Sequence, residues 1–420
     1  MAQQNRDSWH DMDTAAFEAL AEAQGTPYFF YDADAVNARI QAIRAAFAGK
    51  VQVLYAVKCN PNLALLCAVR NTADGLDISS GGELEQALLA GFDADTLSFA
   101  GPAKTTAELT ESIRLSIGAI SIESMRELHE CIRISRQLGV AANVALRVNP
   151  VLLNRAFGIK MGGKSVQFGI DEEDLQEALS TIAGHPAELA FHGIHIYAGS
   201  QCFDAAGVVE GVANTFRIVR AIEATSSLVC RSVNLGGGFG VSHVEAGREL
   251  DLVALAESLR PVIDEFIQAS EVQRRIVFEL GRYLTADAGI YVARVISSKT
   301  SRGKNYFMVD GGLHHHLAAA GTFGAALRAN FILRNLTRPQ SPPLRCQVAG
   351  PSCNPTDLIG VDVELPRPEL GDLIGVLKSG SYGLTASPLL FLGRQTPAEW
   401  VRHNGSVTLG RRPRRMTEFN

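Results

Sequence analysis

Lys58 leaves the apolar run Tyr55-Ala56-Val57 and enters Cys59-Asn60-Pro61-Asn62. A lysine at the end of a buried strand is expected to be partly desolvated, which lowers its pKa and suits the amine to Schiff-base chemistry. The plain alternative is a side chain reaching for solvent. The run Gly236-Gly237-Gly238-Phe239-Gly240 places four glycines in five residues, so that backbone N–H groups can converge on an anion. In Glu279-Leu280-Gly281-Arg282 an acid precedes a cation. The acid can hold a protonated ring nitrogen and the cation can balance a phosphate or carboxylate, unless the two form a strand-end salt bridge. His195, Tyr197, Gly199, Ser200 and Gln201 supply rings that can stack and hydroxyls that can bind phosphate. If an extended strand runs through them, positions 195 and 197 face the same side.

These residues follow a regular series of candidate strands: 51–57, 75–78, 96–100, 119–122, 143–148, 189–196, 232–235 and 275–280. Helix-period segments lie between them at 61–71, 82–90, 105–116, 124–138, 171–183, 205–224 and 251–269. Thr105 or Thr106 with Glu108 gives a helix start signal. Eight strand–helix repeats predict a (β/α)8 TIM barrel over residues 28–285, in preference to an open doubly wound sheet. Its active site belongs at the carboxyl ends of the strands. Lys58 follows the first strand, the His195–Gln201 segment the sixth, the glycine run the seventh and Arg282 the eighth. A lysine, an anion cradle, an acid and a stacking ring at one barrel mouth describe a pyridoxal phosphate site. The lysine carries the Schiff base, and the acid keeps the pyridine nitrogen protonated so that the ring takes up electrons.

Beyond residue 285 the texture changes to strands joined by Gly, Pro and Ser turns, at 289–301, 304–312, 345–350 and 372–380, with 313–330 reading as helix. This predicts a β-rich domain over 286–420, joined by residues 1–27. The chain of 420 residues has formal net charge −5, which supplies no phosphate-attracting field and argues against a nucleic-acid partner. The cluster Arg411, Arg412, Arg414 and Arg415 reads as a solvated tail. No apolar stretch is long enough for a membrane helix, and the first residues lack a signal-peptide core. Seven scattered cysteines without metal-finger spacing point to a reduced, cytoplasmic setting. Three consecutive side chains in His314-His315-His316 point in different directions, so no metal is expected there. Cys59 is expected to pack.

The motifs YAVKCNPN (55–62), GLDISSGGEL (75–84), FAGPAK (99–104), HIYAGSQ (195–201), NLGGGFG (234–240), ELGRYL (279–284), GPSCNPTD (350–357) and SGSYGLTASP (379–388) occur in this order. In this the chain resembles the fold-type III pyridoxal phosphate enzymes, the family of ornithine and diaminopimelate decarboxylases, over about residues 25–395. The resemblance implies an alanine racemase-type barrel and a carboxy-lyase. Lys58 would be the Schiff-base lysine and Glu279 the partner of the pyridine nitrogen. Gly237, Gly238, Gly240 and Gly281 would approach the phosphate, helped by Ser200, Arg282 and Tyr382. Cys353 would be a thiol delivered from a partner subunit to govern reprotonation, so the resemblance implies a homodimer with shared sites.

Two departures bear on the substrate. Where the family has a ring-stacking histidine this chain has Tyr197, with His195 two residues earlier. Where ornithine and diaminopimelate decarboxylases have an acid after the cysteine this chain has Asn354, which cannot give a distal cation a charge-assisted bond unless Asp357 takes over. Asn354, Asp357, Arg282 and Tyr382 are therefore the expected substrate contacts. A neutral distal end suggests an amide or thioester, and the motif set is similar to a branch containing the glutamyl carrier-protein decarboxylase of butirosin biosynthesis and exosortase-associated decarboxylases. The loop 157–169, with Lys160 and Lys164, is a candidate contact for an acidic carrier, or simply a solvated lid. The expected reaction is α-decarboxylation of an amino acid or aminoacyl conjugate. The alternatives are decarboxylation of a free diamino acid, racemisation on the same fold, and a non-catalytic cofactor carrier. Cys353 and the second domain argue against the last two.

Overall fold

A computed structural model describes residues 12–152, 157–160, 162–244, 248–321 and 329–420. Eight parallel strands close into a barrel: Gln52–Ala56, Gly75–Ile78, Leu97–Phe99, Ala119–Ile122, Ala142–Asn149, Leu189–His195, Ser232–Asn234 and Arg275–Leu280, the last pairing back onto the first. All eight coincide with the predicted runs to within about three residues. Most of their residues are buried, as expected of strands covered by helices on one side and by the barrel interior on the other. The predicted helix start is a capping box, with the Thr105 hydroxyl on the Glu108 N–H and the Glu108 carboxylate on the Thr105 N–H. Helix Met125–Leu138 is closed by Ser124 at one end and by Gly139, left-handed at φ 65°, at the other.

The second sheet contains Gly289–Ser301, Lys304–Val309, Leu333–Asn335, Pro343–Ala349, Leu358–Pro366, Leu373–Val376, Ala398–His403 and Ser406–Arg411. Tyr28–Asp32, expected at the start of the barrel, belongs to this sheet instead. It lies antiparallel to Gly289–Ser301 and parallel to Ala398–His403, because its fully buried apolar face packs with Phe17, Ile290, Val292 and Leu373. The barrel therefore begins with the first helix after Asp32. Residues 313–321 form tight turns rather than the expected helix, and 322–328 lie outside the described residues. His314, His315 and His316 are buried. His315 Nε2 is 2.9 Å from the Gln395 carbonyl and His316 Nε2 is 2.9 Å from Ser379 Oγ. Among the described residues no three His, Cys, Asp or Glu side chains are grouped to hold a metal.

Arg411 is not part of a loose tail. It ends a strand and its Nε bonds the buried Glu399 carboxylate at 2.6 Å. No helix among the described residues is long and apolar enough to cross a membrane.

Candidate active site

At the carboxyl ends of the strands a cavity is lined by Lys58, Tyr197, Ser200, Gly238, Glu279, Gly281, Arg282 and Tyr382, with Ala56, Phe239, Leu280 and Tyr283. Lys58 sits in the single helical turn that follows the first strand. Its Nζ is 2.7 Å from Oδ2 of Asp77, a fully buried carboxylate on the second strand. Burial is the largest influence and works to lower the lysine, as expected from the sequence, but Asp77 together with Tyr382, Tyr197 and Glu279 outweighs it and the pKa is raised instead. Asp77 in turn is raised by burial and by Glu279. A salt-bridged ammonium is not a nucleophile, so Lys58 must lose a proton to act as one. Asp77 is the adjacent group able to take it.

Glu279 is held from below by three side chains. His195 Nε2 lies 3.0 Å from Oε2, Ser98 Oγ donates to Oε1 at 3.3 Å, and the Asn234 amide donates to the same oxygen. Burial opposes the charge, but His195, then Lys58 and Asn234, hold the carboxyl down at about 2. Asn234 also accepts the Gly236 N–H at 2.9 Å, so one amide links the acid to the glycine loop. An ionised, pre-oriented carboxylate facing the cavity is suited to hold a ring N–H.

The glycines divide by role. Gly238 lines the cavity. It is left-handed at φ 84°, and a Cβ there would stand 2.0 Å from the Gly199 carbonyl, so only glycine lets the two loops meet. Gly281 also lines the cavity, whereas Gly237 backs onto the Glu279 carbonyl and Gly240 onto Phe203. The latter two fix the loop rather than face the cavity. Arg282 is directed by His243, whose Nε2 is 3.2 Å from its guanidinium. Burial and Arg282 press the His243 imidazole down to about 3, leaving it neutral and able to accept that bond. The guanidinium lies 4.6 Å from the Tyr382 ring centroid. Tyr382, from the second domain, is anchored by its N–H on the Cys59 carbonyl at 2.7 Å. Burial pushes Cys59 up to about 11, so it remains a packed thiol.

His195 does not line this cavity. The sixth strand ends at His195, so the alternation that would have put 195 and 197 on one side stops there. The His195 ring turns into the barrel, with Nδ1 3.1 Å from Ser121 Oγ. Of the two, it is Tyr197 that lines the cavity, its ring centroid 6.0 Å from Lys58 Nζ.

Cys353 is exposed and does not line the Lys58 cavity of its own chain. Asn354 closes a local turn, its Oδ1 taking the Thr356 N–H and hydroxyl at 3.0 and 2.9 Å. Asp357 cannot serve as the substrate contact expected of it. It is buried and accepts from Leu313 N at 2.7 Å, Ser352 N at 3.0 Å and Ser352 Oγ at 2.6 Å. Its charge is used to shape the loop. Lys164 is exposed, and the Lys160 side chain is outside the described residues. Asp77, Ser98, Ser121, Asn234 and His243 were missed as site residues. Their signal was present in four of the five: polar side chains inside otherwise apolar strand runs.

The cavity fits pyridoxal phosphate. Ser200, the Gly238 backbone, Tyr382 and Arg282, whose buried Nε has no protein partner among the described residues, form an anion-binding end. Glu279 and Lys58, which line the same cavity, are the groups that would hold the ring nitrogen and the aldehyde. A barrel of this topology with a lysine after the first strand and a carboxylate at the end of the eighth defines a pyridoxal phosphate-dependent enzyme of the alanine racemase fold.

The family described as "Pyridoxal-dependent decarboxylase, pyridoxal binding domain" matches residues 33–286, and the chain belongs to that decarboxylase family. It is 35% identical over 410 residues to the L-glutamyl-(BtrI acyl-carrier protein) decarboxylase of Niallia circulans, covering 96% of this chain and 94% of that one. It is 29% identical to the diaminopimelate decarboxylase of Aquifex aeolicus, covering 97% and 94%. The crystal structure of diaminopimelate decarboxylase from Helicobacter pylori complexed with L-lysine superposes with TM-score 0.85 at 27% identity, covering 96% and 98% of the two chains.

Proposed function

We propose that this decarboxylase acts on an α-amino acid whose far end is a neutral amide or thioester, the model substrate being a glutamyl group carried on an acidic carrier protein. The observation that carries this reading is the loop 350–357. Asn354 is neutral, and Asp357, the one carboxylate that could replace an acid there, is committed to Leu313 and Ser352. A free ornithine, lysine or diaminopimelate cation would find no charge-assisted partner in this loop. The relative from Niallia circulans, named for a carrier-bound glutamyl substrate, supports the same reading.

Bound pyridoxal phosphate supplies a sink for the electron pair left when CO2 departs. Ser200, Gly238, Arg282 and Tyr382 would hold its phosphate end, Tyr197 would offer a ring to stack on it, and Glu279 would keep a proton on its ring nitrogen. Asp77 would take the proton that Lys58 must lose to hold the cofactor's aldehyde, and would return it to the lysine when the substrate amine takes that place. Cys353 of a second copy returns a proton to the substrate carbon, which makes the working unit a homodimer with shared sites. Its exposure, and the exposed apolar residues Leu390, Phe391 and Leu392, support such a face. Seven free cysteines support a reducing, cytoplasmic setting.

The test is CO2 release by holoenzyme from glutamyl carrier thioester, glutamate, ornithine, lysine and diaminopimelate. The tethered glutamyl group is expected to be at least about 100-fold better in kcat/KM than any free amino acid, about 2.7 kcal/mol. Comparable turnover of free diaminopimelate or ornithine overturns the assignment.

A further inference from the structure

Barrel interiors of this class are ordinarily filled by layers of bulky branched side chains. Here the interior holds a second cavity of about 200 Å³, separate from the cofactor cavity and open toward the amino-terminal ends of the strands. Small residues create it. Gly118 precedes and Ala119 begins the fourth strand, and Ala145 stands beside Ser121 in register on the fifth. Gly118 cannot be enlarged, since a Cβ there would lie 2.2 Å from the Asp95 carbonyl. The two ends of the cavity differ. At the opening stand Gln52, Asp95 and Arg275, of which Asp95 and Arg275 are exposed. At the inner end the ceiling is polar: Ser98, Ser121, His195 and Asn234, each at least nine-tenths buried. Three of these four hold Glu279, and the fourth, Ser121, holds His195. A cavity this roomy with several convergent polar groups meets the conditions for bound water, whereas a dry cavity would be lined by apolar groups.

We propose that the barrel core is a water-filled shaft through which solvent reaches the Glu279–His195 pair from the side opposite the cofactor. The cavity on the Lys58 side is then not the sole approach to the acid that holds the ring nitrogen. The Ser121 hydroxyl and His195 Nδ1 lie on the shaft side, in contact with water whether or not the mouth is closed.

Val277 faces the shaft on the eighth strand, two residues before Glu279 and outside the cofactor contacts. Val277→Cys in the holoenzyme is expected to react with a small neutral methanethiosulfonate, read by mass on the peptide that carries it. The rate should be the same with and without bound cofactor. Adding Ala145→Leu to block the shaft should slow labelling at least tenfold while circular dichroism and cofactor absorbance are retained. A Val277→Cys thiol that reacts only after denaturation overturns the proposal, as does a rate that the block leaves unchanged or that cofactor suppresses. Ile194→Cys, on the sixth strand of the same shaft, serves as the reporter if Val277→Cys fails to fold.

Discussion

The cofactor end and the substrate end of this site are built on different principles. Lys58, Asp77, His195, Asn234 and Glu279 lie on, or directly after, barrel strands; three side chains surround the Glu279 carboxylate and Lys58 bonds Asp77. Cys353 and Asn354 sit on a loop of the second sheet, one exposed and the other bonded to its own turn. In the proposed reading the strands carry the reaction common to the family, while the loop sets what the reaction is performed on. The carboxylate at that loop, Asp357, preserves the loop's shape without contributing charge to a substrate.

The sharpest contrast comes from Lys58→Ala. It removes a half-exposed side chain and should leave the fold intact, yet abolish the absorption band of lysine-bound cofactor and lower turnover on the order of 10⁴-fold. Glu279→Gln comes next. Reconstituted protein should still absorb, but kcat should fall roughly 10²- to 10⁴-fold, and an unchanged kcat would deny the acid its role.

Acid should separate the two ends. Burial holds His314 down at about 4 and His315 and His316 at about 3, beside the loop that Leu313 ties to Asp357. These imidazoles stay neutral in the fold, while the unfolded chain takes up protons below about 6.5. Stability is therefore complete above that pH and falls below it, by about 1.4 kcal/mol per pH unit for each histidine. Glu279 has the same sign in a lower window: its lowered pKa stabilises the fold above the ordinary carboxylate value, and that contribution is lost only as pH falls from there toward 2. Denaturant midpoints measured from pH 7 to 4.5 should decline in the wild type and less steeply in His316→Leu. The smallest effect is the most specific. Asn354→Asp should shift kcat/KM toward free diamino acids by about tenfold without altering cofactor affinity, and a loss of cofactor binding would mean that the two ends are not separable.

Much of this was legible in the sequence because barrel strands and their helices are local patterns: each run of four to eight residues announces itself. Lys58, the glycine loop, Glu279 and Arg282 were legible for a related reason, since the ends of the strands fix where the mouth is. Tyr28–Asp32 was misassigned because its partners begin at residues 289 and 398, and no local period encodes a pairing that distant. His195 was misplaced because a strand's last residue is not marked in its alternation. Asp357 was misread because three donors that turn a carboxylate inward come from two separate segments.

The pairing of Tyr28–Asp32 also has a consequence for synthesis. During translation this buried, largely aromatic strand emerges before the barrel, then waits while the entire barrel is made and its neighbour at 398–403 follows. At roughly 5–20 residues per second that is a delay of tens of seconds. For that interval the barrel is ready to close while an orphaned strand edge remains open to other chains, so the nascent protein is most exposed to chaperones, and to aggregation, at its amino-terminal end.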